Sequence, residues 1–130
     1  MGIELKIKHG KNEINLTDFT IENFVRKVGN LEGRNRFLEI SVNSLEIFGN
    51  YSVYDESGEN LEVIKLANWA KNTAHEDSAY RRVELILKDN NDVIYDSLIF
   101  KKAFIVNYYK GFDSERGTMD YHALIREFNG

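Results

Sequence analysis

Three clusters in this sequence carry side chains able to do chemistry. The first, His75-Glu76-Asp77, joins an imidazole to two carboxylates, the donor set of a metal site or an acid–base pair. A metal needs ligands that converge at definite spacings, usually with more from elsewhere in the chain. The other histidines, His9 and His122, fall in different strands without a ligand partner at a telling spacing. The cluster therefore reads as a solvated loop that follows a helix. The second, Asp89-Asn90-Asn91-Asp92, opens like a calcium loop but lacks its glycine and distal glutamate. Its residues tolerate left-handed backbone, so a hairpin turn explains it without an ion. The third, Asp113-Ser114-Glu115, reads as a hydrated loop. No spacing singles out a glycosidase-like carboxylate pair, and no serine sits in a nucleophile elbow. Gly29 and Gly33 lead to Arg34 and not to the Gly-Lys-Ser/Thr of a phosphate loop. With no cysteine, thiolate nucleophiles and cysteine zinc sites are excluded. The expectation is a protein that is not an enzyme, with no cofactor and no metal. A hydrolase using His75 or His122 is the weaker rival, and a monomeric β-barrel with a small ligand inside it is another.

Composition narrows the partners. The chain has 130 residues, and residues 1–130 read as one domain. A formal charge of −4 and a pI near 5.4 argue against a phosphate-binding surface, because nucleic-acid affinity rests on Lys and Arg neutralising phosphates. Aromatic residues at Phe37, Tyr95, Phe104, Tyr108 and Tyr121 could stack bases, but packing within strands is the simpler role. No run approaches the ~18 apolar residues of a membrane span, and MGIELKIKHGKNEI lacks the apolar core of a signal peptide. The expectation is a cytoplasmic protein, with no nucleic acid and no membrane insertion, and with export open by a route without a cleaved signal. Proline is absent. Every strand, edges included, can therefore pair through its backbone.

These residues need elements to hold them. IELKIK (residues 3–8) alternates with period two, and Gly10-Lys11-Asn12 turns into a second strand from about Leu16 to Lys27, with a bulge where alternation slips. VGNLEGRN (Val28 to Asn35) reads as a loop. RFLEISVNSLEIF (Arg36 to Phe48) reads as one bent strand or two short ones. Asn60 reads as the N-cap of a single helix on which Val63, Leu66, Ala67, Ala70 and Ala74 follow helical spacing. The last third reads as four strands: YRRVELILK, VIYDSLIF, KKAFIVNYY and MDYHALIREF. Within them Ala103 to Val106 is apolar on both faces. That requires a covering helix or a partner subunit, because a surface strand normally keeps one polar face.

RFLEISV, the helix segment LANWAK and the run RRVELILKDNNDVIYDSLIFKKAFIVNYYKGFDSERGTMDYHALI together resemble the haemolysin-coregulated tube protein of type VI secretion systems and the tail-tube proteins of contractile phage-like machines. The positions that carry the likeness are Leu98 to Phe100, Ala103 to Tyr108, Phe112-Asp113 and Tyr121 to Ile125. The resemblance implies a mainly β fold: a small β-barrel of two packed antiparallel sheets with one α-helix at about residues 60–74. It implies copies joined edge to edge into a ring, typically hexameric, with rings stacked into a hollow tube. Sheath, spike or baseplate proteins and cargo effectors are the further partners it implies. For such an assembly Asn30, Leu31, Glu32 and Arg34 are candidates for ring stacking. Ile105, Tyr108 and Tyr109 are candidates for the lateral contact.

Overall fold

The computed structural model describes residues 2–31, 40–54, 58–72 and 77–128. Its strands are β1 (Gly2–His9), β2 (Asn12–Thr17), β3 (Ile21–Leu31), β4 (Ile40–Ser52), β5 (Arg81–Lys88), β6 (Ile94–Asp113) and β7 (Thr118–Glu127). One helix, α1 (Glu59–Ala70), separates β4 from β5, and a 3-10 turn at Asp77–Ala79 leads into β5. All the strands join one antiparallel sheet in the order β2-β1-β5-β6-β7-β4-β3.

The pairing of β6 explains how one sheet makes two layers. Residues from Ile94 to Ala103 pair with β5, and residues from Ala103 to Asp113 pair with β7. Ala103 is where the two pairings meet, and a register shift follows between Ile105 and Asn107. Corners of this kind, where a strand passes from one layer to the other through a bend or bulge, let a sheet fold over on itself. The first layer is β2-β1-β5 with the N-terminal half of β6. The second is the C-terminal half of β6 with β7-β4-β3. Phe24 and Arg26 of β3 stand against Leu85, Leu87 and Leu98 of the other layer. The two end strands, β2 and β3, are not paired with each other, so the sheet is folded over but not closed into a barrel.

Strand alternation supplies the core. Leu5 and Ile7, Ile14 and Leu16, Val83 and Leu85, and Leu98 and Phe100 point inward from the first layer. Leu45, Ile47, Tyr121, Ala123 and Ile125 answer from the second. Helix α1 closes one side with Val63, Leu66 and Trp69, all buried. The indole Nε1 of Trp69 donates to the Ala79 carbonyl at 2.9 Å, so the buried ring leaves no donor unpaired.

Among the described residues the expected mainly β fold with a single helix is present; the expected barrel of two sheets is instead one folded-over, unclosed sheet, and several local differences follow. The two strands expected at VIYDSLIF and KKAFIVNYY are one 20-residue strand, because nothing at Lys101-Lys102 breaks the backbone. The strand expected from Leu16 to Lys27 is instead two, turned at Asp18 to Thr20. The helix begins one residue before Asn60: its N-cap is Gly58, held at φ 85°, a left-handed conformation that glycine adopts without strain. The helix ends at Ala70, and Ala74 lies outside the described residues. Val28 to Leu31, expected in a loop, continue β3 and pair with β4. The DNND segment is a turn: the Asp89 carboxylate accepts from the backbone N–H groups of Asn91 and Val93, and Asp92 takes φ 61°.

Candidate assembly interface

Half-paired strands leave backbone groups in search of partners, and this sheet has several such edges. β2 is shielded by the helix. Glu59 Oε1 accepts from both the backbone N–H and the hydroxyl of Thr17, and Lys65 Nζ reaches the Glu13 carbonyl at 3.5 Å. Covering an edge in this way is how natural sheets avoid unwanted pairing. β3 and the C-terminal half of β6 differ. Among the described residues no strand lies against the outer side of either. These two edges bound the same four-stranded layer. Because each neighbouring pair within it is antiparallel, β3 and β6 run in opposite directions. A second copy set beside the first would thus meet β3 with an antiparallel β6.

The lateral candidates all fall on this half of β6, on two different faces. Ile105 pairs with Ile125 and is half-buried against the core. Tyr108 pairs with Ala123 on the same inward face, and its hydroxyl is buried without a hydrogen-bond partner among the described residues. Burial pushes its pKa up to about 12, with Tyr51 adding a smaller effect. Tyr109 pairs with His122 on the opposite face and is 63% exposed. The doubly apolar run resolves along these lines. Ala103 is buried, while Phe104 meets the Tyr80 ring edge-on at 6.1 Å. Val106 falls within the register shift and is exposed. Beside this edge an open groove of about 500 Å³ separates Ala67 and Ala70 of α1 from Ile105 to Tyr108. The small helix side chains leave room there.

Of the stacking candidates, Asn30 and Leu31 end β3 opposite Ser41 and Ile40. Glu32 and Arg34 lie outside the described residues, as do His75 and Glu76. Asp77 pairs with His9 at 2.9 Å, a contact 68 residues apart in sequence that spacing alone did not suggest. Among the described residues no group of three His, Asp or Glu side chains is arranged to hold a metal. No described helix is long and apolar enough to cross a membrane.

The outward face of the four-stranded layer carries features that sequence reasoning missed. Phe48 stacks on His122 with ring centroids 4.4 Å apart and planes within 7°. Register alone predicts this meeting, since the two residues are cross-strand partners. His122 Nε2 lies 3.6 Å from Glu46 Oε2, too far for a hydrogen bond. The hydrogen bond from Lys27 to Glu46, at 3.1 Å, holds that carboxyl below its usual range against the effect of burial, and His122 assists.

Among the described residues the architecture is thus a folded-over antiparallel sheet flanked by one helix, with a four-stranded layer whose two edge strands have no strand partner. Solved structures share this fold. The chain is similar to Hcp1 from Flavobacterium johnsoniae, with a TM-score of 0.56 and 12% identity over 95% of this chain and 89% of that one. It is also similar to a chain in the six-fold symmetrised cryo-EM structure of the anti-feeding prophage baseplate, with a TM-score of 0.51 and 13% identity over 98% and 89%. No protein-family description matches the sequence, and no curated protein matches it. At these identities the likeness is one of fold.

Proposed function

We propose that this protein is a structural, self-assembling ring subunit of a contractile injection or type VI secretion-like apparatus, stacking into a tube. The observation that carries the reading is the pair of edges on one layer without a strand partner among the described residues, β3 and the C-terminal half of β6, with directions that match between copies. Each copy presents one edge to the copy before it and the other to the copy after it. Such head-to-tail contacts close into a ring when the rotation per subunit permits. The first layer and the helix thicken one face of the four-stranded layer, so that bulk goes to the outside of the ring. The other face, with Glu46, Asp120 and His122, then lines a wet channel. The likeness to a chain of a six-fold symmetrised baseplate supports a ring of six copies.

The protein acts here by position and rigidity and not by reaction. Its further partners are a sheath, spike or baseplate protein and the cargo the tube carries, and export as part of the apparatus needs no cleaved signal. Asn30, Leu31, Glu32 and Arg34, at or near the β3–β4 connection, face the next ring in the stack. Ile105, Tyr108 and Tyr109 belong to the lateral edge. The burial of Trp69, Tyr121, Phe100 and Leu66 favours the assembly reading over a monomeric barrel with a ligand inside it. Size-exclusion chromatography with light scattering across a concentration series tests the proposal, with negative-stain imaging of the same fractions. Rings that appear as concentration rises are expected, whereas a monomer at every concentration with no rings in the images would remove the assembly reading.

A further inference from the structure

The outward face of the four-stranded layer holds a second feature that its fold does not require. A row of aromatic rings crosses three strands: Phe48 on β4, His122 on β7 and Tyr109 on β6 are successive cross-strand neighbours. Beside this row lies an open cleft of about 370 Å³, lined by these three residues together with Glu22 and Asp120. Glu22 falls in the register shift between Ile21 and Asn23, so it is the extra residue of a β-bulge. Bulges re-aim side chains, and this one brings a carboxylate to the aromatic row. Asp120 accepts one hydrogen bond, from the Asn50 amide, through Oδ1. Neither carboxylate forms a salt bridge among the described residues.

Aromatic faces beside carboxylates that have no salt-bridge partner suit one kind of group above others. A guanidinium is planar and weakly hydrated, stacks on aromatic rings and hydrogen-bonds carboxylates through its fork of donors. A lysine ammonium is a compact, strongly hydrated charge and uses the flat row less well. An anion would meet Glu22 and Asp120 and be repelled. We infer that this cleft binds an arginine side chain of a partner protein, with the guanidinium against the Tyr109 ring and its donors directed to Glu22 and Asp120. The site lies within one chain and does not need a ring to form. It rests on the ring reading only for the partner's place: in the ring this face lines the channel, so the partner is what passes through it.

The probe is N-acetyl-arginine amide, titrated into isotope-labelled protein and followed through the aromatic ring resonances by NMR. Its isosteric uncharged counterpart, N-acetyl-citrulline amide, is the control. Saturable shifts centred on Tyr109, Phe48 and His122 are expected with arginine and not with citrulline. Tyr109→Ala and Glu22→Gln should each weaken binding about tenfold, the scale of one lost cation–π contact or charge-assisted bond. Both residues are exposed, so the variants should keep the native urea midpoint, which excludes misfolding as the cause. Equal shifts with citrulline, or arginine binding that neither substitution changes, would overturn the inference. The oligomeric state of the same sample separates the two ideas: rings without arginine binding reject only this site, and arginine binding by a permanent monomer rejects only the ring.

Discussion

Gly49 offers the sharpest test of how the second layer is packed. It sits opposite Tyr121 across the β4–β7 ladder, and the tyrosine ring lies directly over it. A Cβ built on Gly49 would come within 2.1 Å of Cε1 and Cζ of Tyr121 and 2.4 Å of its hydroxyl oxygen. Ordinary contact begins near 3.4 Å, so the ring would have to move by more than an ångström. It has little room for that. Tyr121 is 2% exposed, its hydroxyl pairs with the buried Thr20 hydroxyl at 3.0 Å, and Tyr51 stands on its flank with ring centroids 6.5 Å apart. Gly49→Ala thus combines overpacking, about 1–3 kcal/mol, with a strained or lost hydrogen bond of about 1 kcal/mol. The sum is about 2–4 kcal/mol, a melting point lower by roughly 10 °C in a domain of this size. Urea unfolding followed by the fluorescence of Trp69, the single and buried tryptophan, reads it directly. Tyr121→Ala alone should cost about 3–5 kcal/mol, as large-to-small core changes do. In that background Gly49→Ala should cost almost nothing, a coupling that double-mutant cycles detect. A Gly49→Ala protein within about 0.5 kcal/mol of the parent, or strictly additive costs, would refute the proposed contact.

Two other predictions concern buried polar groups. The Tyr108 hydroxyl is buried without a partner and its pKa is raised to about 12, above the ordinary tyrosine value of 10.0. A raised folded pKa means that the folded state holds the proton longer than the unfolded chain. Stability is then complete below pH 10 and falls as pH rises from there through about 12. Tyr121, also raised by burial, adds to the same loss. Tyr108→Phe should be neutral or slightly stabilising at pH 7 and should flatten the alkaline limb of a melting-temperature profile; a destabilised variant would show that the hydroxyl has a partner. Glu59→Ala removes the acceptor of two Thr17 hydrogen bonds, so it should destabilise by about 1–3 kcal/mol in urea unfolding, and a change near zero would contradict the role given to that carboxylate.

Much of the fold was legible because it rests on local periodicity. Alternation at Leu5/Ile7, Val83/Leu85 and Leu98/Phe100 marks the inward faces, and the spacing of Val63 and Leu66 marks the helix. Boundaries were less legible, since they depend on the backbone. Asn60 looks like a cap by residue type, but Gly58 takes that place because its left-handed φ lets the chain enter the helix. The two expected strands at the corner are one, because a layer change at Ala103 needs only a bend and a bulge, and neither needs a turn residue. The candidate interface was legible in part. The composition of β6 drew attention to Ile105, Tyr108 and Tyr109. Alternation separates Tyr108 from Tyr109, but that Ile105 shares the face of Tyr108 follows from the shift at Val106, which alternation cannot locate. The cleft of Glu22, Phe48, Tyr109, Asp120 and His122 gathers residues from Glu22 to His122 in sequence, and only strand order brings them together.

The central claim is that β3 of one copy meets the C-terminal half of β6 in the next. Cysteine pairing tests it most directly, since the chain has no cysteine of its own. Val25 and Asn107 lie in one cross-strand row at opposite edges of the layer, joined through Glu46 and Leu124. Three strand spacings, about 14 Å, separate them within a copy, too far for a disulfide. A protein carrying Val25→Cys and Asn107→Cys can therefore bridge only to another copy, and Lys27→Cys with Asn107→Cys samples the register two residues away. The expected result, on mild oxidation and a non-reducing gel, is a ladder of covalent oligomers that ends at one closed species and collapses on reduction. A single monomer band for both pairs, at concentrations where light scattering detects assembly, would contradict the claim.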